Sequence, residues 1–386
     1  MTTKNGLTLL VCGDVSTSAD VRALFEKGSP EAVFGRLTDR IRSADLSIAN
    51  LEYVLSDTAP TREKIGPALR GTESDAGILR HAGFDLLGCA NNHIKDCGAT
   101  GTLDTLAACA RVGLSTTGAG RHAQEAAQPA RFEKDGWSIG VFAVAEQEFN
   151  TATSDEAGAH VFDPLNDLER LRLLKETCDY VIVLYHGGIE YYPFPSPSLQ
   201  NTCRALVRNG ADLVLCQHSH VIGTLEFYEG GNILYGQGNT LFGHKAGKPT
   251  WNVGLAVEVA LVQKLDVKAD ITLLPIGCNS DGQVDLLSGD EVQECLDALA
   301  LRSKQATDPA WLEENWGQFC DTTAPQQIPS LLGLGRWLAR ANRILRGKVV
   351  RMFFGRKQLL TTLNVVRCNA HRDVALTALQ RSLDTE

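Results

Sequence analysis

Over roughly the first two thirds of the chain, short apolar runs alternate with stretches of helical spacing, and this alternation narrows the possible folds more than any other feature. Residues 7–12, 46–49, 84–89, 138–144, 180–185 and 213–216 read as buried strands. Residues 31–41, 74–81, 101–112 and 197–209 between them carry helical spacing. Strands that alternate with helices make an α/β sheet with buried strands. After Leu225 the pattern changes. Residues 225–228 and 233–235 flank Glu229-Gly230-Gly231-Asn232 as a hairpin, and 255–262 and 271–275 continue in strands. Two packed sheets flanked by helices accommodate both sections.

A chain of 386 residues is long for one compact core. The expected organisation is a catalytic domain over 1–287 and a mostly helical C-terminal extension over 288–386. In that extension 291–301 has helical spacing, 322–329 reads as a proline-containing linker, and 331–360 carries eight basic residues and no acid. Trp337, Ile344, Phe353 and Phe354 are interleaved with those charges, so 331–360 reads as a basic amphipathic helix. It either packs on an acidic partner or on the acidic remainder of the chain, or lies peripherally on an anionic membrane. Residues 364–371 are expected to return a strand or helix to the core, with His371 structural.

The net charge of −9 excludes non-specific nucleic-acid binding by the whole molecule. The 11 cysteines show no C-x-x-C spacing. The apolar run at 7–12 is too short for a signal-peptide core, and no stretch approaches the roughly 20 apolar residues that span a bilayer. The reading is a cytoplasmic protein with reduced thiols.

The chemistry lies at the strand ends, where α/β folds place their sites. Gly13-Asp14, Asn50-Leu51-Glu52, Asn91-Asn92-His93, His186-Gly187-Gly188-Ile189-Glu190 and His218-Ser219-His220 each follow a predicted strand. Singly, a Gly-Asp turn or a lone histidine means little. Five strand ends in succession that finish in Asp, Glu, Asn or His point to a metal site, because such groups are unfavourable in a core without a partner. Carboxylate and imidazole donors suit Mn, Fe or Zn. Two such ions about 3.5–4 Å apart would activate a water and clamp an anionic transition state. Asp96 either serves the site or caps the helix that starts near Gly98. Glu190 either orients a ligand imidazole or is solvated. Gly236-Gln237-Gly238-Asn239 lacks the lysine and the following helix of a phosphate loop.

These segments, together with Val11-Cys12, Gly210-Ala211-Asp212 and Tyr235, lie between about residues 7 and 262. As an ordered set they resemble the CapA-like proteins of bacterial capsule and poly-γ-glutamate biosynthesis (the PGA_cap domain). Those are in turn similar to calcineurin-like metallophosphoesterases. The resemblance implies a four-layer α/β/β/α sandwich with a dinuclear centre. Asp14 matches the first metal ligand, Glu52 stands where a bridging Asp usually stands, and Asn92 matches the Asn ligand. His186 matches an isolated His ligand, and His218 and His220 match an H-x-H pair that serves one metal each. His93 matches the adjacent catalytic histidine that assists the leaving group or stabilises the anion. Glu190, Asp96 and Asn239 fall where residues orient ligands or meet substrate. Three positions depart from the pattern: Ser16 replaces a histidine ligand, Gly187 replaces an aromatic, and Glu52 is one methylene longer than Asp.

The implied function is hydrolysis of a phosphoester or of a γ-glutamyl or capsule-polymer bond. The implied partner is that phosphorylated or polymeric substrate, with a peripheral membrane or biosynthetic-complex contact through 331–360. The alternatives are a non-catalytic accessory component of a polymer synthesis or export machinery and, more remotely, a nucleotide-cleaving enzyme.

Overall fold

The computed structural model describes residues 6–263 and 267–383. The chain folds as two compact units, the first ending at Asp308 and the second beginning at Pro309.

The first unit is built on two sheets. In the larger, β1 (Leu7–Val15), β2 (Leu46–Leu51), β3 (Leu86–Gly88) and β4 (Ser115–Thr117) run parallel in that order. The second sheet centres on β6 (Trp137–Ala145), β7 (Tyr180–His186) and β8 (Leu213–Gln217), also parallel, with β5 (Ala130–Lys134) antiparallel on β6. Its other edge is β10 (Gly231–Leu234), parallel to β8, and β9 (Leu225–Tyr228), antiparallel to β10. The chain then crosses back. β11 (Asn239–Leu241) pairs with β1 in parallel, and β12 (Val253–Gln263), β13 (Val267–Cys278) and β14 (Val284–Leu286) extend the first sheet antiparallel beyond β1.

Alternation along each strand builds the layers, because successive side chains leave opposite faces. Leu7, Leu9, Val11, Leu46 and Ile48 share a buried cluster with Ile139, Val141, Ile182 and Leu184, which is the interior between the sheets. Leu10, Cys12, Ala49 and Leu51 turn the other way, against α1 (Ala19–Glu26), α2 (Pro30–Phe34), α3 (Leu37–Ser43), α4 (Asp75–Ala82) and α5 (Gly98–Arg111). On the far sheet Phe142, Val144, Val181 and Val183 pack against α6 (Pro164–Lys175) and α7 (Pro197–Arg208). The order is helix, sheet, sheet, helix, the four-layer sandwich that the resemblance implied.

Gln237 pins the crossover. Its fully buried amide donates to the carbonyls of Val11 at 3.0 Å and Leu255 at 3.2 Å and accepts from Gln217 at 3.0 Å. The Gly236–Asn239 turn is therefore a seam between the sheets.

Several expectations change. The helix read over 31–41 is two helices, broken at Gly35. Its φ of 49° is left-handed, and a Cβ there would sit 2.8 Å from the Asp285 side chain. The first unit does not stop at residue 287. Helix α8 (Asp290–Ala306) belongs to it, buries Leu299 against the inter-sheet core and hydrogen-bonds β9 through Ser303 Oγ, which accepts from Leu225 N at 2.8 Å.

The second unit is all helical: α9 (Pro309–Leu331), α10 (Arg336–Ile344), α11 (Lys348–Phe353), α12 (Arg356–Arg367) and α13 (Asn369–Leu383). The linker expected at 322–329 is instead part of α9, with Pro325 and Pro329 inside the helix. Pro329 has no N–H to offer the Pro325 carbonyl. The Asn342 side chain supplies the missing donor at 2.9 Å, and its Oδ1 accepts from Val350 N at 3.0 Å. The basic stretch 331–360 is not one helix but three segments, interrupted at Arg346-Gly347, both at positive φ, and at Gly355. Residues 364–371 return nothing to a core. They span the exposed end of α12 and start of α13, where Asn364 and His371 hydrogen-bond at 3.0 Å. No helix among the described residues is long and apolar enough to cross a membrane, and all 11 cysteines are free.

Candidate metal centre

The strand ends converge because of alternation and one irregularity. Tyr180, Ile182 and Leu184 face the inter-sheet core, so His186 does too. In β2, Leu46 and Ile48 face it, and Asn50 and then Glu52 follow the same parity. Asp14 has the wrong parity, sharing it with Leu10 and Cys12, which face the helices. A register shift between Val11 and Asp14 inserts one extra residue opposite β2 and reverses the alternation. Val15 then joins the helix-side cluster, which leaves Asp14 for the other face. Gly13 sits in this bulge because a Cβ there would lie 2.6 Å from the Gly238 carbonyl oxygen.

Six of the sequence candidates meet at this point. Oxygen or nitrogen atoms of Glu52, His186 and His218 lie within 4.8 Å of one another, and so do those of Asp14, Glu52 and His220. The two groups share Glu52. Asn92 joins the first, its Oδ1 3.0 Å from His186 Nε2. His218 and His220 both adopt left-handed backbone, with φ of 88° and 57°, a costly conformation for a side chain of this size. That bend folds the H-x-H segment around Asp14, whose Oδ2 accepts from His218 N at 3.0 Å and lies 3.6 Å from His220 Nδ1.

The electrostatics are those of a site arranged for cations. Both Glu52 carboxylate oxygens and His218 Nδ1 are buried without a hydrogen-bond partner among the described residues, a costly state unless another group satisfies them. Burial pushes Asp14 up to about 6. Burial, followed by the charge of Asp14, lifts Glu52 well above the carboxylate range. Burial holds His186 and His218 below the ordinary imidazole value and His220 down at about 3, so all three present neutral lone pairs. Buried carboxylates beside neutral imidazoles, with orphaned donor atoms between them, fit divalent metal ions.

The surrounding residues resolve the open alternatives. Asp96 does not cap α5, whose N-cap is Cys97. Its Oδ2 lies 2.7 Å from His93 Nδ1 and accepts from Leu69 N at 2.6 Å, while its Oδ1 pairs with the buried Lys64 ammonium. His93 Nε2 is thereby turned toward the centre, 3.9 Å from Glu52 Oε1. Asn239 orients His220: its Oδ1 lies 2.9 Å from His220 Nδ1, while its Nδ2 is committed to the Trp251 carbonyl at 3.0 Å. Glu190 stays exposed on the wall of the cleft over the centre and makes no hydrogen bond to an imidazole among the described residues. Ser16 is not a donor to the centre, since its hydroxyl bonds the Glu52 carbonyl at 3.3 Å. Where the family pattern has an aromatic, a Cβ on Gly187 would lie 2.6 Å from the Glu146 side chain.

Sequence reasoning missed Lys64 and took Asn50 only as part of its motif. The Asn50 amide donates to Asp14 Oδ1 at 2.8 Å and lies 3.1 Å from His186 Nδ1, joining the two halves of the centre. Its place two residues before Glu52, on the same strand face, was the available signal. Lys64 lies in a polar loop with no signal of its own.

The cleft above the centre has a volume of about 550 Å³ and is lined by His93, His218 and His220 together with Lys64, Tyr191 and Trp251.

Comparison with known proteins places the chain in a family. Residues 8–244 match the family model described as bacterial capsule synthesis protein PGA_cap, and the chain belongs to that family. It is 28% identical over 245 residues to the capsule biosynthesis protein CapA of Bacillus anthracis, covering 61% of this chain and 60% of that protein. It is 27% identical over 235 residues to the PGA biosynthesis protein CapA of Bacillus subtilis (strain 168), covering 60% and 62%. The chain thus spans about three fifths of the length of these relatives. Among solved structures it resembles a novel phosphatase from Mycoplasma pneumoniae, with a TM-score of 0.44 and 15% identity, covering 70% of this chain and 94% of that one. A 5'-nucleotidase precursor from Thermus thermophilus gives a TM-score of 0.39 at 13% identity, covering 77% and 59%.

Proposed function

We propose that this chain is a metal-dependent hydrolase acting on a phosphoester or on a γ-glutamyl or capsule-polymer bond, in the service of capsule or poly-γ-glutamate synthesis. The observation that carries the reading is the pair of ligand groups sharing Glu52, with both of its carboxylate oxygens buried and unpartnered among the described residues. Asp14, Glu52 and His220 would hold one ion, and Glu52, Asn92, His186 and His218 the other. When bound, such ions supply a nucleophile from water and stabilise charge on an anionic transition state.

The chain's own groups do the rest. Asp96 accepts a hydrogen bond from His93 Nδ1–H, which points Nε2 at the centre, and in its doubly protonated form the ring would give the Nε2 proton to the departing group. Asn239 fixes His220 so that Nε2 is its free donor atom. The rings of Phe242 and Trp251, each 4.7 Å from His220, shield it from solvent on that side. Both candidate reactions build negative charge at the attacked centre, so the same residues serve either.

A second reading, a non-catalytic accessory component, is favoured by Ser16, which leaves one ligand group at three protein residues. Metal analysis separates the two. Purified protein titrated with Mn²⁺ is expected to take up about two equivalents. The His218→Ala variant is expected to take up fewer and to lose turnover of chromogenic phosphodiester and γ-glutamyl substrates while remaining folded. No uptake by the unaltered protein would sink the hydrolase reading and leave the accessory one.

A further inference from the structure

The loop over residues 242–251 leaves the candidate metal centre and returns to it. At its ends the Phe242 and Trp251 rings pack on each other at 5.1 Å, edge to face, and both contact His220. Between them the backbone is braced. Trp251 Nε1 donates to the Gly243 carbonyl at 3.1 Å, and His244 N donates to Asp20 Oδ2 at 2.9 Å. Lys245 N donates to Asn252 Oδ1 at 2.8 Å, and Asn252 Nδ2 donates back to the Lys245 carbonyl at 2.9 Å. A loop tied at so many points has its shape before any ligand arrives, which lowers the ordering cost of binding.

This loop holds two ammonium groups on a pair of stacked rings. Lys245 Nζ lies over the face of Trp251, and Lys248 Nζ lies 5.8 Å from the ring centre of Tyr191. Tyr191 and Trp251 stack on each other at 6.0 Å with 29° between their planes. A cation over a ring face is held without being neutralised. Neither lysine forms an ion pair with a carboxylate among the described residues. Lys64, on the same cleft, is already committed to Asp96. Glu148 and Glu190 also line the cleft; of the two loop lysines Lys245 is the one in its lining, and Lys248 stands beyond it on the same loop. Lys245 shares the cleft wall with His93, His218 and His220.

We propose that Lys245 and Lys248, carried on the Trp251–Tyr191 ring pair, form an anion-binding subsite for a carboxylate or phosphate of the substrate other than the group that reacts. A second charge of the bound molecule would then rest on the lysines while its reacting linkage lies at the centre. This rests on the hydrolase reading above and deepens it.

Calorimetric titration of the full chain with a short γ-linked glutamate oligomer, with the same oligomer amidated at its pendant α-carboxylates, and with tripolyphosphate tests the proposal. The parallel proteins are Lys245→Gln, Lys248→Gln, the double variant, Lys245→Arg and Asp14→Asn. Each Lys→Gln substitution is expected to weaken binding of the charged oligomer roughly three- to fivefold. Lys245→Arg should retain affinity, since it keeps charge and ring contact, and the amidated oligomer should bind no better to the unaltered protein than to the double variant. Added salt should weaken binding to the unaltered protein more than to the double variant. A lysine-dependent preference for the oligomer would assign the subsite to carboxylates, and one for tripolyphosphate to phosphates. Equal affinity of the double variant and the unaltered protein for both charged probes would overturn the subsite. Asp14→Asn keeps the two readings apart. Lysine-dependent binding with no turnover by any form leaves the subsite standing while the hydrolase reading fails, and turnover indifferent to both lysines does the reverse.

Discussion

Asp14 shows how a single residue can answer to two requirements. Its carboxylate must be ionised to hold a cation, yet burial lifts it to about 6, against the pull of the His218 N–H and the Asn50 amide. Below that value a proton competes with the metal for the same oxygens. The sign of the pH effect on the metal-free fold differs between groups. Asp14 is raised above its ordinary 3.8, so its burial weighs against folding in full above about 6 and is relieved as pH falls toward 3.8. His220 is depressed from 6.5 to about 3, so the unfolded chain takes up a proton that the folded one refuses, and stability is lost as pH falls from 6.5 toward 3. Bound metal removes the Asp14 penalty only where Asp14 is ionised. Saturating Mn²⁺ is therefore expected to raise the melting temperature several degrees at about pH 7.5 and little at about pH 5. An equal gain at both would mean that Asp14 is not a ligand.

At the level of elements, local irregularities carry the information. The β1 bulge turns Asp14 to the face where Asn50, Glu52 and His186 already point. The positive φ of His218 and His220 is a strain that regular structure would not accept, and with it two residues of one turn join the two ligand groups that share Glu52. In the second unit the irregularity is compensated instead. Asn342 is buried and donates to the carbonyl that Pro329 leaves unsatisfied, while accepting from Val350 N. Asn342→Ala leaves both partners without a bond and is expected to destabilise that unit by about 1–3 kcal/mol. Hydrogen exchange should report faster opening across residues 309–350 with protection of β1, β2 and β7 unchanged. Unchanged exchange in both regions would show that α9 holds through its prolines without Asn342.

On the scale of the whole molecule, every residue of the candidate centre lies in the first compact unit, which ends at Asp308. A chain cut after Asp308 is expected to bind the same number of metal equivalents as the full chain. A chain cut after residue 287 loses α8. It also loses the buried Leu299, the Ser303 hydroxyl that caps Leu225 N, and the Arg302 Nε that donates to the Gly223 carbonyl at 3.1 Å. Removing that much is expected to destabilise the first unit by roughly 3–6 kcal/mol. Chemical denaturation of the two truncations measures the difference, and equal midpoints would return the boundary to 287.

The sequence alone pointed to the sheets and to most residues of the candidate centre. Buried strands must be apolar and helices must repeat every three to four residues, so a polar group at a strand's end stands out against both patterns. Asp14, Glu52, Asn92, His186, His218 and His220 were legible for that reason. Lys64 was not, and Asn50 stood out only as part of its motif, because their roles consist of contacts to residues far away in the chain, His186 and Asp96 among them. The choice between a helix cap and a role at the site for Asp96 belonged likewise to packing. The prolines of α9 misled for a related reason. Proline forbids one backbone bond locally, and only the fold decides whether a side chain from elsewhere, here Asn342, takes its place. Periodicity is a property of neighbours along the chain and can be read from it. Partnership across the molecule depends on a bulge, a crossover and a bent H-x-H turn, and these exist only once the sheets have closed on each other.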